Sequence, residues 1–310
     1  MCLNFSFSSS SNNIRSGDEP LTCSRRAFVT LGGLSFTAVP SGAKAVSPRP
    51  PTSAEVEKAV AVDWPPTFPF EASDFRRFDE SPDLDFYQLP KLVYHIDDQA
   101  RKALEDYYNS LIGTRFRDRK PDVLDLCSSW VSYLPEDYKR DPDGPRVAGM
   151  GMNEAELKLN PQLTEYFVRD LNSNPSIPYE KESFDVVVCA LSMDYLIKPL
   201  DVLKEVRVLR PNGQCIISFS NRLFSTKAVA HWTGSGDLDH VYAVGCYFHY
   251  AGGYSSPSGE LQLHPNHPAT RRCVAKLRDW IQLSIRPARI ISPRRGKGDP
   301  LYIVEAQKTS

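Results

Sequence analysis

Phe184-Asp-Val-Val-Val-Cys-Ala-Leu191 is a short apolar run built on valine, which reads as a strand buried on both faces. Shorter runs of the same kind precede it. Asp122 to Cys127 predicts a first strand, Arg146 to Met150 a second and Tyr166 to Asp170 a third, with a helix from Asn153 to Leu159 between the last two. After it, the amphipathic stretch Leu200 to Leu209 predicts a helix stopped by Pro211 and Gly213, and Gln214 to Phe219 a fifth strand. Near the end, Arg289 to Ile291 and Leu301 to Glu305 flank a turn holding Gly296, Gly298 and Pro300, as in a hairpin. Strands alternating with helices and closed by a hairpin imply an α/β, doubly wound sheet.

Upstream, Asp97 to Ile112 carries Ala100, Ala103, Leu104, Tyr107, Tyr108 and Leu111 at helical spacing, with Asp97 or Asp98 as cap and Gly113 as terminator. Residues 46–70 are proline-rich and predict an extended arm with one helical pattern around Ala54 to Val62. Ahead of the arm, Arg25-Arg26 stands directly before a weakly apolar stretch, and Ala43-Lys44-Ala45 offers small residues for cleavage after Ala45. With the acid-free, Ser- and Asn-rich Phe5 to Asn13 before it, this order resembles a bipartite thylakoid-lumen presequence. A structural N-terminal helix, a bacterial-style export signal and a destination in the chloroplast stroma are the alternatives. The chain divides into a targeting segment 1–45, an arm and lid helix 46–114, and a main domain 115–310.

The composition excludes several classes. Of 310 residues, 41% are hydrophobic and 24% charged, with a net charge of −1, so no basic footprint for nucleic acid is present. Arg294, Arg295 and Lys297 read as a solvated turn. No apolar run is long enough to span a bilayer once the targeting segment is removed. The seven cysteines include no Cys-x-x-Cys pair, and an odd five remain after residue 45, which argues for small core residues over a disulfide framework. His264-Pro-Asn-His267 is the one hint of a metal, and its proline-broken spacing without partners argues against one.

In doubly wound sheets ligands bind beyond the carboxyl ends of the central strands, where the strand order reverses. The segments that reach this edge are Val123-Leu-Asp125-Leu, Met150-Gly151-Met-Asn153, Asp170-Leu171-Asn172 and Leu191-Ser192-Met-Asp194-Tyr195. Taken in order with Ile177-Pro-Tyr179, Ser183-Phe-Asp185 and Val208-Leu-Arg-Pro-Asn-Gly213, they resemble the type 11 methyltransferases of the class I S-adenosylmethionine-dependent superfamily. Phe78-Asp-Glu-Ser, His95-Ile-Asp-Asp98, Asp125-Leu-Cys-Ser-Ser-Trp130 and Phe219-Ser-Asn-Arg222 narrow the likeness to a subgroup of bacteria and plants. The resemblance implies a Rossmann-like, mostly parallel sheet of seven strands with an antiparallel C-terminal strand. It also implies S-adenosylmethionine as cofactor and a small-molecule or lipid-like methyl acceptor.

The first loop departs from the superfamily. Asp125-Leu is followed by Cys127, Ser128, Ser129 and Trp130, with no glycine, and Gly151 replaces the acidic residue that ordinarily holds the ribose. The resemblance then gives the ribose to Asn153 or Glu154 and the adenine amino group to Asp170, with Leu171, Leu191 and Ser192 alongside. Ser128 and Ser129 are expected either to donate hydroxyls to the cofactor's carboxylate or to cap a following helix. A degenerate, empty site is the other reading of this loop. Candidates for a base are His95, Tyr87, Tyr195, Asn221 and His249, with Asp194 and His231 behind them. Phe248-His-Tyr-Ala-Gly-Gly253 reads as a loop over the site. A non-catalytic module of the same fold that assists assembly of thylakoid complexes is the competing function. An NAD-dependent oxidoreductase is disfavoured because Gly-x-Gly-x-x-Gly is missing after the first strand.

The targeting reading has a direct check. Replacing Arg25 and Arg26 together with Lys is expected to block entry into the lumen, since ammonium groups do not reproduce paired guanidinium groups. N-terminal sequencing of the imported protein should begin near Val46; finding residues 20–40 intact would contradict this.

Overall fold

The computed structural model describes residues 51–141, 143–260, 289–291 and 298–309. The targeting segment, Cys273, the His264/His267 pair and the cluster at 294–297 lie outside these residues.

Eight strands form one mixed sheet: β1 (Val123–Leu126), β2 (Val147–Gly151), β3 (Glu165–Val168), β4 (Phe184–Ala190), β5 (Leu209–Phe219), β6 (Ser258–Glu260), β7 (Arg289–Ile291) and β8 (Leu301–Gln307). Their order is β3-β2-β1-β4-β5-β8-β6, with β7 also on β8. β1 to β5 pair in parallel, whereas β8 runs antiparallel to β5, β6 and β7. The sequence implies seven strands. The eighth arises because β6 and β7 share the outer edge of β8, at Ile303–Glu305 and Leu301–Ile303 respectively.

Period-two alternation divides the central strands between two cores. Leu124, Val187, Cys189, Ile217 and Val304 point into one, and Val123, Val186, Val188, Ile216 and Ile303 into the other. The first core is covered by α1 (Ser53–Val60), α5 (Pro199–Lys204), α6 (Ala230–Thr233) and α7 (Asp237–Ala251). The second is covered by α3 (Asp98–Arg115), whose Ala100, Leu104, Tyr107, Tyr108 and Leu111 are buried. Asp97 caps α3 by accepting from the Ala100 N–H at 2.8 Å. Gly113 does not end this helix. It sits in open space, where a helical glycine costs only about 1 kcal/mol, and the helix runs on to Arg115.

Three other expectations shift. The helix before β5 ends at Lys204, a 3₁₀ turn follows at Glu205–Val208, and β5 already begins at Leu209. Pro211, Asn212 and Gly213 are absorbed as an irregularity between the Phe184–Leu209 and Val186–Gln214 pairings, with Asn212 at φ 65°. Phe248 to Ala251 is the last turn of α7, with Tyr247 and Phe248 in the core, so this stretch is not a loop over any site. The third strand stops at Val168, two residues early, and leaves Asp170 in a turn.

The arm docks because α7 makes room for it. A Cβ at Gly245 would lie 2.8 Å from Trp64 and 3.0 Å from Val60, so glycine in mid-helix is what lets α1 and Trp64 close on α7. Trp64 stacks on Tyr242 and His249, with ring centroids 5.6 and 5.3 Å apart. No helix of the described residues is long and apolar enough to cross a membrane.

Candidate functional site

A cavity of about 350 Å³ opens at the carboxyl ends of β1, β2 and β4, where the strand order reverses. That is within the size range of small-ligand sites. Its floor is made by the chain leaving β1 and β4. Cys127 and Leu191, the residues just beyond those strands, both take left-handed backbone conformations, φ 56° and 55°, and Tyr133 nearby does so at 54°. Such conformations cost a non-glycine residue about 1–3 kcal/mol each, and all three residues line the cavity. Cys127 therefore makes the turn that glycine ordinarily makes.

The loop then folds down onto β2. The Ser128 N–H donates to the Met150 carbonyl at 2.7 Å, and a Cβ on Gly151 would sit 2.1 Å from the Ser128 carbonyl oxygen. Gly151 is small so that the loop can close, and the place of an acidic side chain there is filled by backbone. Among the described residues no helix follows β1 before β2, so neither serine is a helix cap. Both hydroxyls are already committed. Ser128 Oγ donates to Asp125 Oδ2 and Ser129 Oγ to Glu156 Oε2, each at 2.6 Å.

Asp125 is the most deeply buried carboxyl of the cavity wall. It is 3% exposed, lines the cavity and has no ion-pair partner among the described residues. Burial pushes its carboxyl up to about 7, against the pull of the Ser128 and Ser132 hydroxyls. Asp170 also lines the cavity, its oxygens accepting from the Asn172 N–H and Ser173 Oγ of its own turn. Leu171, Ser192 and Trp130 complete this part of the wall.

Across the mouth runs a strap, residues 87–95, held by three ties. Asn153 Nδ2 donates to the carbonyls of Tyr87 (2.9 Å) and Gln88 (3.2 Å), the Lys91 N–H donates to Glu156 Oε1 (2.6 Å), and Trp130 Nε1 donates to the Val93 carbonyl (3.3 Å). Tyr94 packs on Trp130, with centroids 4.6 Å apart. Asn153 caps the helix α4 (Glu154–Leu159) through its Oδ1, so both ends of its amide are occupied and it does not line the cavity. Glu154 is exposed and pairs with Lys158 at 2.9 Å.

Of the candidate bases, Tyr87, His95 and Tyr195 line the cavity. Burial lowers the His95 pKa below its ordinary value, with Glu156 opposing and Lys91 adding to the effect. Tyr195 Oη accepts from the Phe224 N–H at 2.9 Å. The rest are elsewhere. Asn221 is exposed outside the cavity, His249 stacks on Trp64, and His231 bonds the Asp74 carbonyl and the Tyr247 hydroxyl. Asp194 lies behind Tyr195 in a fully buried position that pushes it up to about 8. Asn172 lines the cavity as part of the edge segment read from sequence, whereas Glu156, Lys91 and Phe224 line it and were not singled out. Glu156 lies within a short helix as an ordinary amphipathic acid, and the other two belong to segments without periodicity.

Residues 143–217 match the family model described as a methyltransferase domain. The match takes in β2 to β5 and begins after β1 and its unusual loop. No curated protein matches the chain. Among solved structures, a SAM-dependent methyltransferase from Aquifex aeolicus is 17% identical, covering 69% of this chain and 95% of that one at a TM-score of 0.41. An S-adenosylmethionine-dependent methyltransferase from Mesorhizobium loti is 12% identical, covering 66% and 98% at a TM-score of 0.36. Similarity this distant assigns no activity.

Asn153 separates the strap from the helix cap. Asn153→Asp keeps the capping oxygen and loses the Nδ2 donor, so the melting temperature should hold within a few degrees. Amide hydrogen exchange in residues 87–94 should speed up about tenfold, the worth of about 1.4 kcal/mol of lost hydrogen bonding. Unchanged exchange there would show that Asn153 does not hold the strap.

Proposed function

We propose that the chain transfers a methyl group from S-adenosylmethionine to a small acceptor. The observation that carries the reading is Asp125, a buried carboxylate at the switch point, lining a ligand-sized cavity and forming no ion pair among the described residues. Such a group is costly unless a positive ligand meets it. The cofactor carries an ammonium and a sulfonium, and the donor set fits both. Asp125 would take the ammonium, Asp170 the adenine amino group and Glu156 the ribose hydroxyls, with Leu171 and Leu191 against the base. When bound, the cofactor supplies an already activated methyl group. The protein's work is then to hold the acceptor in line and exclude water, for which alignment is worth roughly 7–11 kcal/mol. The match of residues 143–217 to a methyltransferase domain supports the same reading. Within this reading the presequence-like residues 1–45 send the protein to the thylakoid lumen, folded and carrying its cofactor.

The charge of Asp125 makes binding depend on pH with a definite sign. In the free protein its carboxyl titrates near 7, far above the ordinary carboxylate value of 3.8. This group's contribution to stability is therefore fully present below the ordinary value and is lost as pH rises toward 7. A cationic ligand favours the charged form, so binding at pH 7 should release part of a proton and weaken as pH falls below 7. Calorimetry of the full chain with S-adenosylmethionine, in buffers of different ionisation heat, measures both. Asp125→Asn should bind about 10–100-fold more weakly, lose the proton release and melt higher than wild type above pH 7 in the absence of ligand. Equal binding by the variant would remove Asp125 from the site. No binding by wild type would overturn the methyl-transfer reading in favour of a non-catalytic assembly module.

A further inference from the structure

The half of the cavity beneath the strap is walled by rings. Phe224 lines it with His95 edge-on at 5.4 Å and Tyr195 at 6.0 Å, and Phe86, outside the lining, backs Phe224 at 5.3 Å. Offset and edge-on ring contacts of this kind favour a flat aromatic guest over an aliphatic one. Two polar groups lining this half have no hydrogen-bond partner among the described residues: the imidazole of His95 and the hydroxyl of Tyr87. Of the carboxylates near these rings, Asp83 is already met by Arg77 at 2.6 Å and by Lys227 at 3.5 Å, and Glu156 accepts from the Lys91 N–H and Ser129 Oγ. The strap and the segment leading to it are unusual in a further way. Of the nine large hydrophobic residues exposed among the described residues, six lie between Phe78 and Tyr94, including Leu89, Leu92 and Val93 on the strap itself. Contiguous exposed apolar surface marks a place where something apolar is bound.

Resting on the methyl-transfer reading, we infer that the acceptor is an aromatic hydroxyl compound with an apolar substituent. Its ring lies against Phe224, its hydroxyl meets His95 and Tyr87, and its substituent leaves across Leu89, Leu92 and Val93. His95 is the catalytic base. The acceptor oxygen gives its proton to a ring nitrogen of His95, and one of its electron pairs forms the new bond to the methyl carbon. The carbon–sulfur bond of the sulfonium donor breaks, and its pair remains on sulfur as a neutral thioether. The product is an aryl methyl ether, and the imidazolium returns its proton to solvent. An imidazole suits a phenol, whose acidity is within its reach, and not an aliphatic alcohol. Burial keeps His95 below its ordinary pKa, hence neutral at pH 7, and keeps Tyr87 above its own, hence a donor. The charged groups that act on His95 are Glu156 of α4 and Lys91 of the strap, and Asp83, Asp125, Arg169, Asp170 and Arg222 line the same cavity.

The test uses 4-hexylphenol and its methyl ether, 4-hexylanisole, titrated calorimetrically into the full chain with and without S-adenosylmethionine. Wild type should bind the phenol at least tenfold more tightly than the ether. His95→Phe keeps a ring in place and removes the proton acceptor, so the preference should fall to threefold or less with the ether's affinity unchanged. In the presence of S-adenosylmethionine, His95→Gln should lose about 100-fold in kcat/KM at pH 7 and regain tenfold per pH unit as the phenol ionises by itself. Equal binding of phenol and ether by wild type, a preference that survives His95→Phe, or a His95→Gln rate that does not climb with pH would each overturn the inference. If S-adenosylmethionine still binds in those cases, the methyl-transfer reading stands without this acceptor; if it does not, both fall.

Discussion

The turn out of β1 has to be made without glycine, and much of the site follows from how that is done. Cys127 accepts a left-handed backbone, which aims Ser128 at β2 instead of into a helix. Ser128 then satisfies two groups at once, its N–H on the Met150 carbonyl and its hydroxyl on Asp125. The loop can lie this close only because residue 151 has no side chain. The strain at Cys127, Tyr133 and Leu191 is offset by the packing of Tyr133, Leu134 and Tyr138 into the core under α3. With no helix between β1 and β2 among the described residues, the sheet face that such a helix would cover belongs to α3 and to this coil.

Closing the loop in this way gives the strap its anchors. Ser129 and Trp130 are turned outward to Glu156 and to the Val93 carbonyl, and Asn153 reaches back to Tyr87 and Gln88. Groups that would touch a ligand directly in a glycine-loop protein here hold a cover over the cavity. At the other side of the strap, Lys227, fully buried, donates to the Ser81 carbonyl at 2.7 Å, and Arg77 grips Asp83 at 2.6 and 2.8 Å. The segment is thus fixed at both ends while its exposed face stays apolar.

The sheet was legible because its strands are buried on both faces and carry continuous apolar runs, as in Phe184–Ala190. The switch-point edge followed from their order, which is why Asp125, Cys127, Asp170, Leu191 and Tyr195 meet around one cavity. What sequence could not show was how hydrogen bonds are shared out. Ser128, Ser129 and Asn153 have the chemistry to bind a ligand, and nothing local reveals that Asp125, Glu156 and the strap claim them first. The missing helix after β1 was hidden for a related reason. Residues 127–146 have no periodicity, so the sequence left open whether Ser128 and Ser129 meet a ligand or cap a following helix. Phe248 to Gly253 misled through its glycines, which end a core helix whose apolar residues are too numerous to show one clear face.

Amide hydrogen exchange of the full chain, with and without saturating S-adenosylmethionine, tests the central claim that this cavity is the methyl-donor site. Exchange should slow in residues 87–95, 125–133, 150–156 and 190–196, the four segments that close on the cavity, and stay unchanged in α7. Binding that leaves those segments untouched, or that protects instead the opposite end of the sheet around Arg119 and Arg210, would contradict the account.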